Sequence, residues 1–212
     1  MMLESSSLND QPRLKKLCLQ RDDSKCMVTG VRDVSKYCLG GLLASTRLAH
    51  ILPLSIGKWH DKSSEDRISQ IWATLYRLFP RLKIGPSEIN DATNLMTLMD
   101  PLEDALGKFN MAFEPTVVSN QYRILLFPGF QSFFTPALPQ PNQNGERIIR
   151  FRSHIDCPLP GADILHAHAC IAKILHSSDI FKRVQRVLQV GDTTRHLATD
   201  GTTELDFLFS QL

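Results

Sequence analysis

The chain has 212 residues, 42% of them hydrophobic and 22% charged, with a formal net charge of +2. That is the balance of a soluble globular protein, long enough for one domain with a real core or one domain with a helical appendix. The near-neutral charge disfavours a dedicated nucleic-acid binder, because Lys and Arg contacts to phosphate supply most of the affinity of such proteins. The five cysteines (Cys18, Cys26, Cys38, Cys157, Cys170) form no CxxC pair and are odd in number, which excludes a zinc knuckle or a complete disulfide framework and leaves reduced, buried thiols. The leader MMLESSSLNDQPRLKK has no apolar stretch of the secretory kind, and nothing approaches the ~20 apolar residues of a membrane span. An intracellular, cytoplasmic protein is expected.

Along the chain, residues 1–12 read as a flexible polar leader. Residues 13–21 put Leu14, Leu17 and Cys18 on one helical face, and SKCMVTG reads as a short strand with Cys26 and Val28 on one side. YCLGGLLASTRLAHILPLS breaks at Gly-Gly and then carries His50 towards a core as a strand or extended loop. Residues 65–79 form an amphipathic helix on the stripe Ile68, Ile71, Trp72, Leu75 and Leu78. Asn90, Asp91 and Asn94 suit tight turns or helix caps, and residues 94–107 suit a helix ended by Gly107. FNMAFEPT, QYRILLFP and RIIRFRS alternate as strands of an antiparallel sheet, and TPALPQPNQNG is a connector. From Pro160 the pattern is helical, through GADILHAHACIAKILHSS, DIFKRVQRVLQ and TELDFLFSQL. The expected division is a leader at 1–12, a core at 13–135, and a strand plus helical extension at 136–212 packed on that core as one compact unit.

Three segments carry a resemblance: KCMVTG, AHILPLS (Ala49 to Ser55) and NLMTLMDPLEDALGKFNMAFEPT. In that order, with the Trp72 helix between them and the later CPLPGADILHAHACIAKILHSS and L-A-x-D-G (Leu197 to Gly201), the chain resembles fungal HNH-nuclease-like proteins over roughly residues 13–212. The resemblance implies an α+β fold with an HNH-like ββα-metal core, antiparallel strands and a helical C-terminal extension. It implies a histidine acting as general base on water, an asparagine framing the loop, and a helix histidine helping to bind one divalent cation. By position His50 is the base and Asn94 the framing asparagine, whereas the helix histidine, nine residues after Asn94, is replaced by Glu103. Ala49 stands where many such nucleases keep a further metal ligand. The metal site is therefore degenerate and no metal ligand is assigned; Glu103 and Asp104 remain hard oxygen donors for weak Mg²⁺ or Mn²⁺ binding.

Each of these residues also has a plainer role. His50 suits a hydrogen-bonded core histidine, Asn94 a helix cap, and Glu103 and Asp104 a solvated helix surface. His166 and His168 fall on different faces of one helix and read as structural. Arg150 and Arg152 share a strand face that suits phosphate or solvent. The missing histidine and low charge favour a fold repurposed, without cofactor, to bind a hydrophobic small molecule and catalyse its cyclisation or isomerisation, as a pericyclase-like enzyme of fungal secondary metabolism. His50, Asn94, Glu103 and Asp104 would be its catalytic groups, with Phe127, Phe130, Phe133, Phe134 and Trp72 lining the substrate pocket. The alternatives are a divalent-metal-dependent HNH endonuclease and a non-catalytic interaction module. Nothing in the sequence sets the oligomeric state.

Overall fold

The computed structural model describes residues 10–36 and 41–177. The first helix, α1 (Gln11–Arg21), begins two residues before the expected start, with Pro12 in its first turn, where a missing N–H costs nothing. Asp23 and Ser24 then both take positive φ, turning the chain back. The segment SKCMVTG is not the expected strand. It folds on itself, with the Cys26 N–H bonded to Val31 O and the Gly30 N–H to Cys26 O, and Gly30 at φ +70° supplies the left-handed turn. Cys26 and Val28 are nonetheless buried, as their alternation suggests. Two short strands follow, β1 (Arg32–Asp33) and β2 (Leu43–Ala44), which pair in parallel.

The central pair is β3 (Thr46–His50) with β4 (Leu95–Met99), antiparallel, in a register running from Thr46 opposite Met99 to His50 opposite Leu95. Between them lies α2 (Lys62–Leu78), capped by Asp61, whose carboxylate accepts the Ser64 N–H at 2.7 Å. Ile68, Ile71, Trp72 and Leu75 are buried as the stripe requires, but Leu78 faces solvent, because the helix ends just beyond the core. Residues 94–107 are half strand and half helix rather than helix throughout. Leu95 to Leu98 are all buried, and a short apolar run covered on both faces is as good a strand as a helix until its partner is known. Pro101 then marks the first turn of α3 (Asp100–Gly107), which packs on β3 and β4.

The second sheet matches the alternation seen in the sequence. Strands β5 (Met111–Pro115), β6 (Gln121–Leu126) and β7 (Arg147–Arg150) are antiparallel in that order. Helix α4 (Ala162–Ser177) covers β5 and reaches the end of α3 through two histidines. His168 Nε2 donates to Leu106 O at 3.1 Å with its ring stacked on Phe109, and His176 Nε2 bonds Phe109 O at 3.0 Å with its ring stacked on Phe127. His168 is thus structural. One hydrophobic cluster runs from Cys26 to Leu175. The result is a mixed α and β fold; the expected helices at DIFKRVQRVLQ and TELDFLFSQL, the L-A-x-D-G segment, and residues 1–9 of the leader lie outside the described residues. No helix among the described residues is long and apolar enough to cross a membrane.

Where the layers meet, Arg21 is wholly buried. Its guanidinium bonds Asp22 through Nε–Oδ1 (2.7 Å) and Nη2–Oδ2 (3.1 Å) and donates to Ala92 O, Pro158 O and Leu95 O at 2.9, 3.0 and 2.8 Å. Asp22 also accepts the Thr97 N–H at 3.1 Å. Arg21→Ala leaves a buried carboxylate without its counter-ion, so urea unfolding is expected to show a loss of about 3–5 kcal/mol. A second expectation concerns acid. Burial pulls His168 from 6.5 down to about 4. A folded pKa below the unfolded one gives stability that is present above pH 6.5 and lost as pH falls towards 4, up to roughly 3 kcal/mol. Unfolding measured across that window should show the slope, and His168→Gln should flatten it.

Candidate functional site

His50 ends β3. Side chains alternate along a strand, so Thr46, Leu48 and His50 share one face while Arg47 and Ala49 share the other. The His50 ring meets the Asn90 side chain, Nε2 to Oδ1, at 3.0 Å. The same Asn90 oxygen accepts from Gln11 Nε2 at 3.2 Å. An amide oxygen only accepts, so His50 Nε2 carries the hydrogen and Nδ1 carries the lone pair. Burial, helped by the Lys58 charge, holds the imidazole below its usual pKa, against the opposing pull of Asn90. Burial thus favours the neutral imidazole, the form that can accept a proton.

The loop leaving His50 is locked by Asn94, which sits at the end of a 3-10 turn (Ala92–Asn94) and is wholly buried. Asn94 Oδ1 accepts the Leu52 N–H (2.8 Å), its Nδ2 donates to Leu52 O (3.0 Å) and Ile89 O (2.9 Å), and its backbone oxygen takes the Ile51 N–H (2.9 Å). Both amide hydrogens are engaged within the protein, so Asn94 shapes the loop. Arg21 grips the carbonyls on either side of it, at Ala92 and Leu95. On the far side of the loop, a Cβ at Gly57 would lie 2.4 Å from Ile89 Cγ2, so the backbone of the Leu54–Gly57 turn needs glycine there to meet the Ile89 side chain.

Glu103 lies on α3, on the other face of β3. Its carboxylate is 3.8 Å from Arg47 Nη1, and Arg47 Nε is 3.4 Å from Asp100 Oδ1. Burial raises the Glu103 pKa and the Arg47 charge opposes the rise. Asp104 turns outward to an exposed pair with Lys108 at 2.8 Å. His50 and Asn94 are thus brought together, while Glu103 and Asp104 are directed elsewhere. These placements do not fit a divalent cation: Ala49 offers no donor, Arg47 already faces Asp100 and Glu103, and His50 points to Asn90. Among the described residues no three His, Cys, Asp or Glu side chains gather as a metal would need.

The five aromatic residues expected to line a pocket are divided among separate places. Trp72 is in the core, with its indole N–H on Ile56 O at 2.8 Å, under the loop that follows His50. Phe127 stacks on His176, Phe130 packs partly buried on the core, and Phe133, 85% exposed, touches Phe134 edge-on. An open depression of about 730 Å³ lies instead at the end of the second sheet, around Glu114, Gln121, Arg123 and Glu146, and none of the five lines it. Arg150 and Arg152 are exposed on either side of buried Phe151. Sequence reasoning missed Gln11, Arg21, Arg47 and Asn90 as parts of the site. Only Arg47 had an available signal, since two residues before Ala49 on a strand it must face α3 with it.

With this geometry in view, a family described as HNH endonuclease matches residues 26–114, so the chain carries an HNH-endonuclease-like domain over that span. His50, Asn94 and Glu103 all fall inside it. No curated protein and no solved structure was found to match the chain. Asn94→Ala strips the buried Leu52 amide and carbonyl of their partners and is expected to cost roughly 2–4 kcal/mol in denaturant unfolding, since unsatisfied buried polar groups carry most of such a penalty.

Proposed function

We propose that the chain is a phosphodiester hydrolase of the HNH-endonuclease kind, acting on nucleic acid, with His50 as the base that activates water. One observation carries this reading: a histidine at a strand end, Nε2 tied to the Asn90 oxygen and Nδ1 left as acceptor, inside the span that matches the endonuclease family. Nδ1 takes a proton from water as the oxygen attacks phosphorus, the opposite ester P–O bond breaks, and the departing oxygen takes a proton from solvent, while Asn94 holds the loop that aims the ring. In nucleases of this kind a divalent cation stabilises charge on the phosphate and the leaving oxygen. The side chains here do not fit one, and several kcal/mol of transition-state stabilisation goes with it. Turnover is accordingly expected to be slow. The net charge of +2 makes binding weak and strongly salt-dependent.

A second reading is supported by the same misfit. An Arg47 that occupies the space beside Asp100 and Glu103 suits a scaffold turned to a hydrophobic small molecule, with His50 as base in a cofactor-free cyclisation or isomerisation. Against it stands the scattering of Trp72, Phe127, Phe130, Phe133 and Phe134.

Nicking of supercoiled plasmid separates the two. The hydrolase reading expects slow nicking at low salt that His50→Ala removes and that a chelator leaves at its wild-type level; isothermal calorimetry should show no tight, stoichiometric Mn²⁺ uptake. Nicking that requires Mg²⁺ or Mn²⁺ would restore the metal and refute the misfit. No nicking, with thermal stabilisation by hydrophobic metabolites, would favour the small-molecule reading.

A further inference from the structure

We infer that Asn90 is a positioning residue for His50 and that Gln11 holds Asn90 in place, which makes the N-terminal helix part of the site. This rests on the reading of His50 as the base. Asn90 lies in a turn, closed by the Asp91 N–H on Glu88 O at 2.7 Å, and for that turn alone its side chain would have no task. Instead its amide oxygen reaches two groups from distant parts of the chain, His50 Nε2 at 3.0 Å and Gln11 Nε2 at 3.2 Å. The turn itself is pinned beside it, because Asn94 Nδ2 bonds the neighbouring Ile89 carbonyl at 2.9 Å.

Two donors converging on one oxygen do what neither does alone. An asparagine amide rotated end for end would present its NH₂ to His50, and the ring would then hold its hydrogen on Nδ1 and offer the lone pair on Nε2, turned towards Asn90 and away from any substrate. With Gln11 as placed, rotating Asn90 alone would set two donors face to face, so the two amides can only rotate together. Gln11 thus couples the orientation of Asn90 to its own, and Asn90 sets the tautomer of His50 that leaves Nδ1 free. The same logic fixes ring nitrogens wherever the partner of one determines the role of the other. The oxygen is neutral, so it orients the ring without adding the charge that would make the imidazole hold its proton at pH 7.

The test reads the tautomer directly, by ¹⁵N NMR of the histidine-labelled full chain, alongside plasmid nicking. Wild type should show His50 protonated at Nε2. Asn90→Ala and Gln11→Ala should each mix the two tautomers and lower kcat by about tenfold or more with KM little changed, the mark of a displaced reacting group. Asn90→Asp, which keeps the shape and adds a charge, should keep Nε2–H and raise the His50 pKa by about one unit or more. The inference is overturned if wild-type His50 carries its hydrogen on Nδ1, or if its tautomer is indifferent to both alanine variants. A tautomer that responds as stated in a protein without nicking activity sustains the positioning role and removes the hydrolase reading instead.

Discussion

The structure depends on one buried charge pair, Arg21 with Asp22. Taking two ions out of water costs several kcal/mol each, and their mutual attraction repays this only when the remaining hydrogen-bonding capacity is also met. Here it is met from both sides: the guanidinium spends its donors on Asp22 and on three carbonyls, and Asp22 accepts the Thr97 N–H. Adjacent residues at the end of α1 thereby hold the 3-10 turn before β4, β4 itself, and the connection into α4 at Pro158. A lysine has neither the number of donors nor the planar fork to span these acceptors at once.

From that pair the order passes to the site by contact. Arg21 clasps the carbonyls that flank Asn94, Asn94 clasps the loop that flanks His50, and the far end of α1 steadies the asparagine that faces His50. The other face of β3 follows a different logic. There Arg47 lies between Asp100 and Glu103, one cation shared by two carboxylates. The two faces of one short strand therefore differ: an imidazole hydrogen-bonded to an asparagine on one side, and on the other a guanidinium shared by two carboxylates.

Much of this was legible in the sequence, and the parts that were not share a cause. The stripe of α2 and the alternation of β5, β6 and β7 are local periodicities, so they survive without tertiary knowledge. His50 and Asn94 were found because their spacing and neighbours resemble a known motif, not because of any property of either residue. Leu95–Met99 was misread because an apolar run covered on both faces has no period to reveal it. KCMVTG was misread because Gly30 turns back a segment whose alternation is otherwise that of a strand. Gln11 and Asn90 lie far apart in the chain, and nothing in either residue points to the other. The aromatic residues at 127–134 are close in sequence, yet β6 ends and the chain leaves the core within that stretch, so Phe127 and Phe133 meet different surroundings.

The strands β3 and β4 that carry the site are neighbours in space but are joined through residues 51–94, α2 included. Strands β5 and β6 need only residues 116–120 between them. Closing the longer segment costs more chain entropy, and long-range pairings of this kind zip slowly. The ladder that ends at His50 therefore closes at a higher entropic cost than the β5–β6 hairpin. Loop closure thus lets β5 and β6 pair while His50 still lacks its partner strand, and the contacts around the histidine close only with the longer segment.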